Sequence, residues 1–217
     1  MDFTIARRRM VESQVRTNDV TDLRIQSAME KTPREIFLPV EMRGQAYVDR
    51  ELVYGPGRAL ITARDFSKLV AAADPAAKDL TLNAVCGSGY STAILAQLVE
   101  MVVAVESDET LATEAQEHMT ALDVNNAAVI SGEAAKGAAG QGPYDLILID
   151  MAIEKRPDTL LDQLKDGGRL AAIFRENGVS RGVVYRRTGG VFSSAVKFDA
   201  SAKMVLPGFE AEKAFVF

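Results

Sequence analysis

Gly87 and Gly89 flank Ser88 at a corner where the apolar run "LTLNAV" gives way to "STAILAQLVE", and Glu106 stands 19 residues beyond Gly87. Glycines at a strand-to-helix corner let a ligand approach the backbone closely and offer it N–H groups at a helix start. A carboxylate at the end of the next strand is placed to accept both hydroxyls of a ribose, as in dinucleotide folds. One strand further on, Gly132-Glu133 is placed to accept from an adenine amino group, and Asp150 ends the strand after that. Together these residues outline an adenosine site.

The third glycine position of a dinucleotide turn is here Thr92, so a pyrophosphate loses its bare helix N-terminus. The set therefore suits a ligand with adenosine and no phosphate, such as S-adenosylmethionine. Each residue alone has a plainer reading. The glycines permit any tight turn, and Glu106 and Glu133 also suit surface acids near helix starts. Cys86 reads as a small packing residue. His118, the single histidine, sits among Glu114, Glu117 and Asp123 and reads as a surface residue. With one histidine and one cysteine, histidine triads and zinc clusters are not expected, and no metal site is assigned.

The elements that position these residues follow from periodicity. Apolar strands alternate with helices from "DFSKLVAAAD" to "RLAAIF", the signature of a parallel sheet covered on both faces. "PDTLLDQLK" reads as a helix stopped by Gly167-Gly168. "RGVVYRR-TGG-VFSSAVKF" reads as an antiparallel hairpin and "EKAFVF" as a last strand. Before this core, "TIARRRMVESQV" and "TDLRIQSAMEK" carry helical spacing, with Thr21 as N-cap and Pro33 as terminator. The stretch between Pro33 and Thr62 is rich in Pro and Gly and reads as loop, its part from Tyr47 to Thr62 as a cover over the substrate side. The expected division is residues 1–65, helical and loop-like, packed on a cofactor-binding domain of residues 66–217.

The chain has 217 residues, 47% of them hydrophobic, enough for one α/β domain with a large core. A net charge of −5 argues against a nucleic-acid surface. Arg7-Arg8-Arg9 is followed closely by Glu12, Asp19 and Asp22, so it reads as a solvated helix face. No apolar run approaches a membrane span, and the lone cysteine suits a reducing compartment; a soluble cytoplasmic protein is expected, of unassigned oligomeric state.

Nearly the whole chain resembles the protein-L-isoaspartate O-methyltransferases, class I S-adenosylmethionine-dependent enzymes. "RMVESQV", "AMEKTPREIFLP" and "AYVDRELVYGPG" are similar to that family's N-terminal region, "CGSGYSTAILA" to its cofactor loop, and "GPYDLILID" to its fourth strand. "LLDQLKDGGRL" is the most characteristic run. The resemblance implies a Rossmann-like, seven-stranded methyltransferase sheet, mostly parallel with an antiparallel edge hairpin, behind an N-terminal helical segment. It also implies methylation of the free carboxylate of isoaspartyl residues in damaged proteins or peptides. The cofactor would be held by Asn83, Gly87, Ser88, Gly89, Glu106, Gly132 and Glu133.

The sequence departs from the family at both loops. The family's substrate loop runs roughly G-x-G-Q-T-I-S-Q-P; here "GPGRALITA" puts Arg58 for glutamine, Ala59 for threonine and Ile61 for the serine that positions the carboxylate. Isoleucine donates no hydrogen bond. Thr62, one residue on, and Arg58, with its fork of donors, are the substitutes available on this loop. In the cofactor loop the family's acid is Asn83 and its first glycine Val85. Asp150 resembles the metal-binding aspartate of small-molecule O-methyltransferases, but its companion carboxylates are missing. A different methyl acceptor, or a relative that binds without turnover, are the alternatives.

Overall fold

The computed structural model describes residues 2–211. Helix α1 (Phe3–Met10) starts at Asp2, whose carboxylate accepts from the Thr4 and Ile5 amides, and runs into one π-helical turn, Val11–Val15. Helix α2 (Leu23–Lys31) is capped by Asp22, not Thr21: the Asp22 carboxylate accepts from the Arg24 amide. Of the three neighbouring arginines, Arg7 is turned onto the Glu30 carbonyl and Arg8 onto Glu12.

The stretch from Pro33 to Thr62 is more ordered than a loop. It holds two 3-10 helices, Arg34–Phe37 and Val40–Gln45, and an antiparallel hairpin of β1 (Leu52–Gly55) and β2 (Arg58–Leu60). Three- and four-residue strands carry too few side chains to show a period of two, so this hairpin had no signal in the sequence.

From α3 (Ala63–Ala73) onward the chain alternates: β3 (Leu80–Asn83), α4 (Tyr90–Leu95), β4 (Met101–Glu106), α5 (Glu109–Ala121), β5 (Ala127–Ser131) and β6 (Tyr144–Ile153). Helix α6 (Asp158–Leu161) is shorter than its sequence suggested. Strand β7 (Leu164–Glu176) begins before Gly167-Gly168, because Tyr144 already pairs with Leu164. Strands β8 (Val179–Thr188) and β9 (Val191–Ala200) form the expected hairpin around Gly189-Gly190. The "EKAFVF" segment, residues 212–217, lies outside the described residues.

The large sheet has seven strands in the order β5-β4-β3-β6-β7-β8-β9. All neighbours from β5 to β7 are parallel, while β8 runs against both β7 and β9. The chain winds outward from β3 in one direction and from β6 in the other, so the switch point lies between those two strands. Ligands of open α/β sheets bind beyond the carboxyl ends at that point.

One face of the sheet packs on the N-terminal helices, α3 and α4, a single core joining Met10, Ile25 and Phe37 to Leu146, Leu148 and Ile173. The other face carries Leu160, Leu161, Leu206 and Phe209 over Ile147, Ile149 and Val183. The tail returns across the mouth. Ala152 donates to the Met204 carbonyl and accepts from the Leu206 amide, which brings Pro207 beside the β1–β2 hairpin. No helix among the described residues is long and apolar enough to cross a membrane.

Candidate active site

Beyond Asn83 the backbone stays threaded between its neighbours: the Ala84 amide donates to the Leu148 carbonyl and the Cys86 amide to that of Val105. This holds the glycine turn at the switch point. Gly89 adopts a left-handed backbone with φ 104° and starts α4. Ser88 faces away from the turn. Its hydroxyl donates to the Phe37 carbonyl at 2.6 Å, and its own carbonyl accepts from Nδ1 of His118 at 2.8 Å. His118 also packs edge-on against Phe37 at 4.9 Å. The histidine that read as a free surface residue is thus a brace of the turn, joining α5 to the N-terminal region. A lone histidine on an otherwise polar helix gave no hint of this.

Glu106 ends β4 and is 1% exposed. Its Oε1 accepts from the Ser107 and Asp108 amides at 2.8 and 2.9 Å, and its Oε2 from the Gly87 amide at 2.8 Å. Both oxygens also face Arg58, which enters from β2: Nε lies 3.1 and 3.0 Å from the two, and Nη2 pairs with Oε1. The same guanidinium donates to the Ser107 hydroxyl at 2.9 Å and to the Gly57 carbonyl at 2.8 Å. At 6% exposure, Arg58 forms a buried bidentate pair. Tyr54, from β1, places its hydroxyl where a Cβ on Gly87 would stand. Burial, then the negative charges of Asp150 and Glu106, push the Tyr54 phenol up.

Asn83 points into the interior, donating to the hydroxyls of Ser91 and Thr92 at 2.7 and 3.0 Å, with its Oδ1 unpartnered. Asp150 is buried at the end of the same wall with an unpartnered Oδ1. Burial pushes its carboxyl up to about 6, against the hydrogen bond from Ser91. Cys86 is buried, and burial raises its thiol. Ile61 faces the core, and its carbonyl accepts from Arg34 at 2.6 Å. Thr62 caps α3, its hydroxyl accepting from the Asp65 amide at 3.0 Å.

The Gly132 amide donates to the Glu106 carbonyl, bringing the end of β5 to the mouth. Glu133 stands exposed on the rim and pairs with Lys136 at 2.7 Å. A cavity of about 240 Å³ lies between Glu133, Ser107, Arg58, Leu206 and Pro207. The structure therefore gathers Gly87, Gly132 and Arg58 around Glu106, with Glu133 on the adjoining rim, while Gly89 faces Ala115 and Met119 of α5. It sets Ser88, Asn83 and Thr62 into the surrounding frame. Tyr54 was not singled out in the sequence; its place in the segment expected to cover the site is the one signal that pointed to it.

The sequence matches a known family. The family model described as Protein-L-isoaspartate(D-aspartate) O-methyltransferase (PCMT) matches residues 6–197. The chain belongs to this family. A protein-L-isoaspartate O-methyltransferase of Methanoculleus marisnigri is 35% identical over 166 residues, covering 76% of each chain. Another, from Alteromonas mediterranea, is 40% identical over 148 residues, covering 66% of this chain and 69% of its own. A solved structure described as a putative protein-L-isoaspartate O-methyltransferase from Plasmodium falciparum, in complex with S-adenosyl-L-homocysteine, shares the fold. Its TM-score is 0.78 at 16% identity, over 94% of this chain and 99% of its own.

The donor set of this protein-L-isoaspartate O-methyltransferase family member suits an adenosine, with a carboxylate, bare glycine backbone and a rim acid. In the arrangement described, the chain's own groups occupy those positions. Every Glu106 oxygen is saturated by the chain's own donors, and Tyr54 fills the approach to Gly87.

Proposed function

We propose that this chain is an S-adenosylmethionine-dependent methyltransferase that esterifies the free carboxylate of isoaspartyl residues in damaged proteins or peptides. The observation that carries this reading is the family match across residues 6–197. S-adenosylmethionine supplies a methyl group on a positively charged sulfur. The acceptor is a carboxylate, anionic at neutral pH, so no strong base is required of the protein. The protein's share is alignment and the removal of water around the nucleophile.

On the loop that faces the acceptor, Ile61 has no donor and is turned into the core. Thr62 keeps its hydroxyl proton while its oxygen caps α3. Arg58 has the paired N–H groups that match a carboxylate. We assign carboxylate positioning to Arg58, with Thr62 as the second donor. A reducing cytoplasm, where Cys86 stays a thiol, is the proposed compartment.

A second reading, a catalytically inactive relative that binds a ligand or partner, is favoured by Glu106 being engaged by the chain's own donors instead of standing open to a cofactor. The two separate in one assay. An isoaspartyl peptide is incubated with methyl-labelled S-adenosylmethionine, and base-labile label on the peptide is counted. Ester formation above the rate with a normal aspartyl peptide supports the enzyme. Measurable cofactor binding with no ester on either peptide refutes isoaspartyl methylation and leaves the second reading.

A further inference from the structure

Arg58 holds the carboxylate that the ribose of an adenosine ligand would call on. Glu106 is the acid at the end of β4, at the switch point, where a sugar's hydroxyls would be accepted. It receives three backbone amides, from Gly87, Ser107 and Asp108, and these fix the carboxylate's position without closing its outer edge. That outer edge is what Arg58 covers, with Nε shared between both oxygens and Nη2 on Oε1. A guanidinium fork and a vicinal diol present the same feature to a carboxylate: two donors side by side, one per oxygen.

The arginine is not a passing surface side chain. It is 6% exposed, its Nη1 is held by the Gly57 carbonyl and its Nη2 also by the Ser107 hydroxyl. The hairpin that carries it brings Tyr54 over Gly87 at the same time, so both the sugar's place and the glycine backbone are covered by one element. What is left open is the cavity of about 240 Å³ on the Glu133 side, which Arg58 itself lines.

We propose that Arg58 is a built-in stand-in for the cofactor's ribose: the β1–β2 hairpin keeps the site closed on itself, and an adenosine ligand enters by exchanging its diol for the guanidinium on Glu106. This rests on the S-adenosylmethionine reading above and adds a consequence to it. The released Arg58 is the same residue assigned to the acceptor's carboxylate. Loading the cofactor would therefore free the group that receives the substrate, which orders the two binding steps. An acidic acceptor arriving first finds its arginine already engaged.

The test uses S-adenosylhomocysteine as probe and the full chain. Calorimetry is run on the wild type and on Arg58→Met, which keeps length and removes the charge, with circular dichroism confirming that the variant is folded. The expected result is a Kd at least about tenfold lower in the variant, the sign expected when a competing buried pair is removed. An equal or weaker affinity in a folded variant overturns the proposal while leaving cofactor binding intact. Absence of binding by both proteins at millimolar probe overturns the proposal and the methyltransferase reading together.

A measurement on the wild type alone stands beside it. The Arg58 Nε–H, held 3.0 Å from Glu106, is followed by nitrogen NMR. Saturating probe should shift this resonance and speed its exchange with water. An unmoved, still protected Nε–H at saturation refutes the exchange, whatever the variant does.

Discussion

Replacing Ile61 by serine puts a hydroxyl on the loop between β2 and α3, and two outcomes are separable by arithmetic. Ile61 is 2% exposed and packs in the core that joins the N-terminal helices to the sheet. Truncating a buried isoleucine to alanine costs about 2–5 kcal/mol. A hydroxyl left without a partner adds about 1–3 kcal/mol, less where it finds a backbone acceptor. A loss of about 4 kcal/mol is expected for Ile61→Ser, a large share of the 5–15 kcal/mol that stabilises a typical domain. With a slope of about 3 kcal/mol/M for a chain of this size, the urea midpoint should fall by about 1.3 M at unchanged slope. Methyl transfer to an isoaspartyl peptide, measured at a temperature where the variant is folded, should not rise, because the new hydroxyl faces the core. A midpoint shift below about 0.3 M together with a faster transfer would refute the reasoning, since it would place residue 61 at the acceptor's carboxylate.

Two further predictions concern the frame. Asp150 is raised from 3.8 to about 6, so the folded state favours its protonated form. Stability on its account is greatest below pH 3.8, falls through the window up to about pH 6 and is level above it. Asp150→Asn should flatten that window and gain up to about 3 kcal/mol at neutral pH, read from urea midpoints across the range; a variant weaker than wild type at neutral pH contradicts it. Arg169 donates to the Ala73, Asp74 and Asp145 carbonyls and pairs with Asp79 at 2.6 Å. Arg169→Met should cost about 3–5 kcal/mol, and adding Asp79→Asn should cost far less in that background than alone; a strictly additive double-mutant cycle argues against the pair.

The parts of the fold that sequence discloses are those with a long, uniform pattern. Every residue of β6 but Asp145 is buried, and the apolar run Leu146–Ile149 between turn-rich flanks has few other uses. The Gly189-Gly190 corner announces its hairpin for the same reason: both residues sit at positive φ, which glycine adopts freely. The run "LLDQLKDGGRL" carried the strongest resemblance, and its side chains turn out to be framework. Gln163 ties the Lys136 and Thr159 carbonyls and the Ala138 amide, Lys165 pairs with Asp145, and Asp166 accepts from the Gly189 amide. These bonds lie around the starts of the strands, away from the carboxyl ends where ligands of open α/β sheets bind.

The neighbourhood was legible as a set of types and spacings: Gly87 and Gly132 both reach Glu106, and Glu133 stands beside them, while Gly89 packs on α5. The occupation of Glu106 was not. Arg58 and Glu106 are 48 residues apart, and no property of either names the other until the hairpin folds over the sheet. The same holds for His118 and the Ser88 carbonyl, 30 residues away. A side chain's type tells what it can bond; which of its options is used is decided by the tertiary neighbours that arrive.

Gly57 and Pro207 meet at the rim, and any Cβ at position 57 would run into the proline ring. Hairpin and tail therefore work as a clasp, with a smooth backbone on one half and a rigid ring on the other. In the exchange proposed at Glu106, the hairpin could move outward only once Gly57 and Pro207 had parted, which would tie a ligand's entry to a strip of chain 150 residues further on.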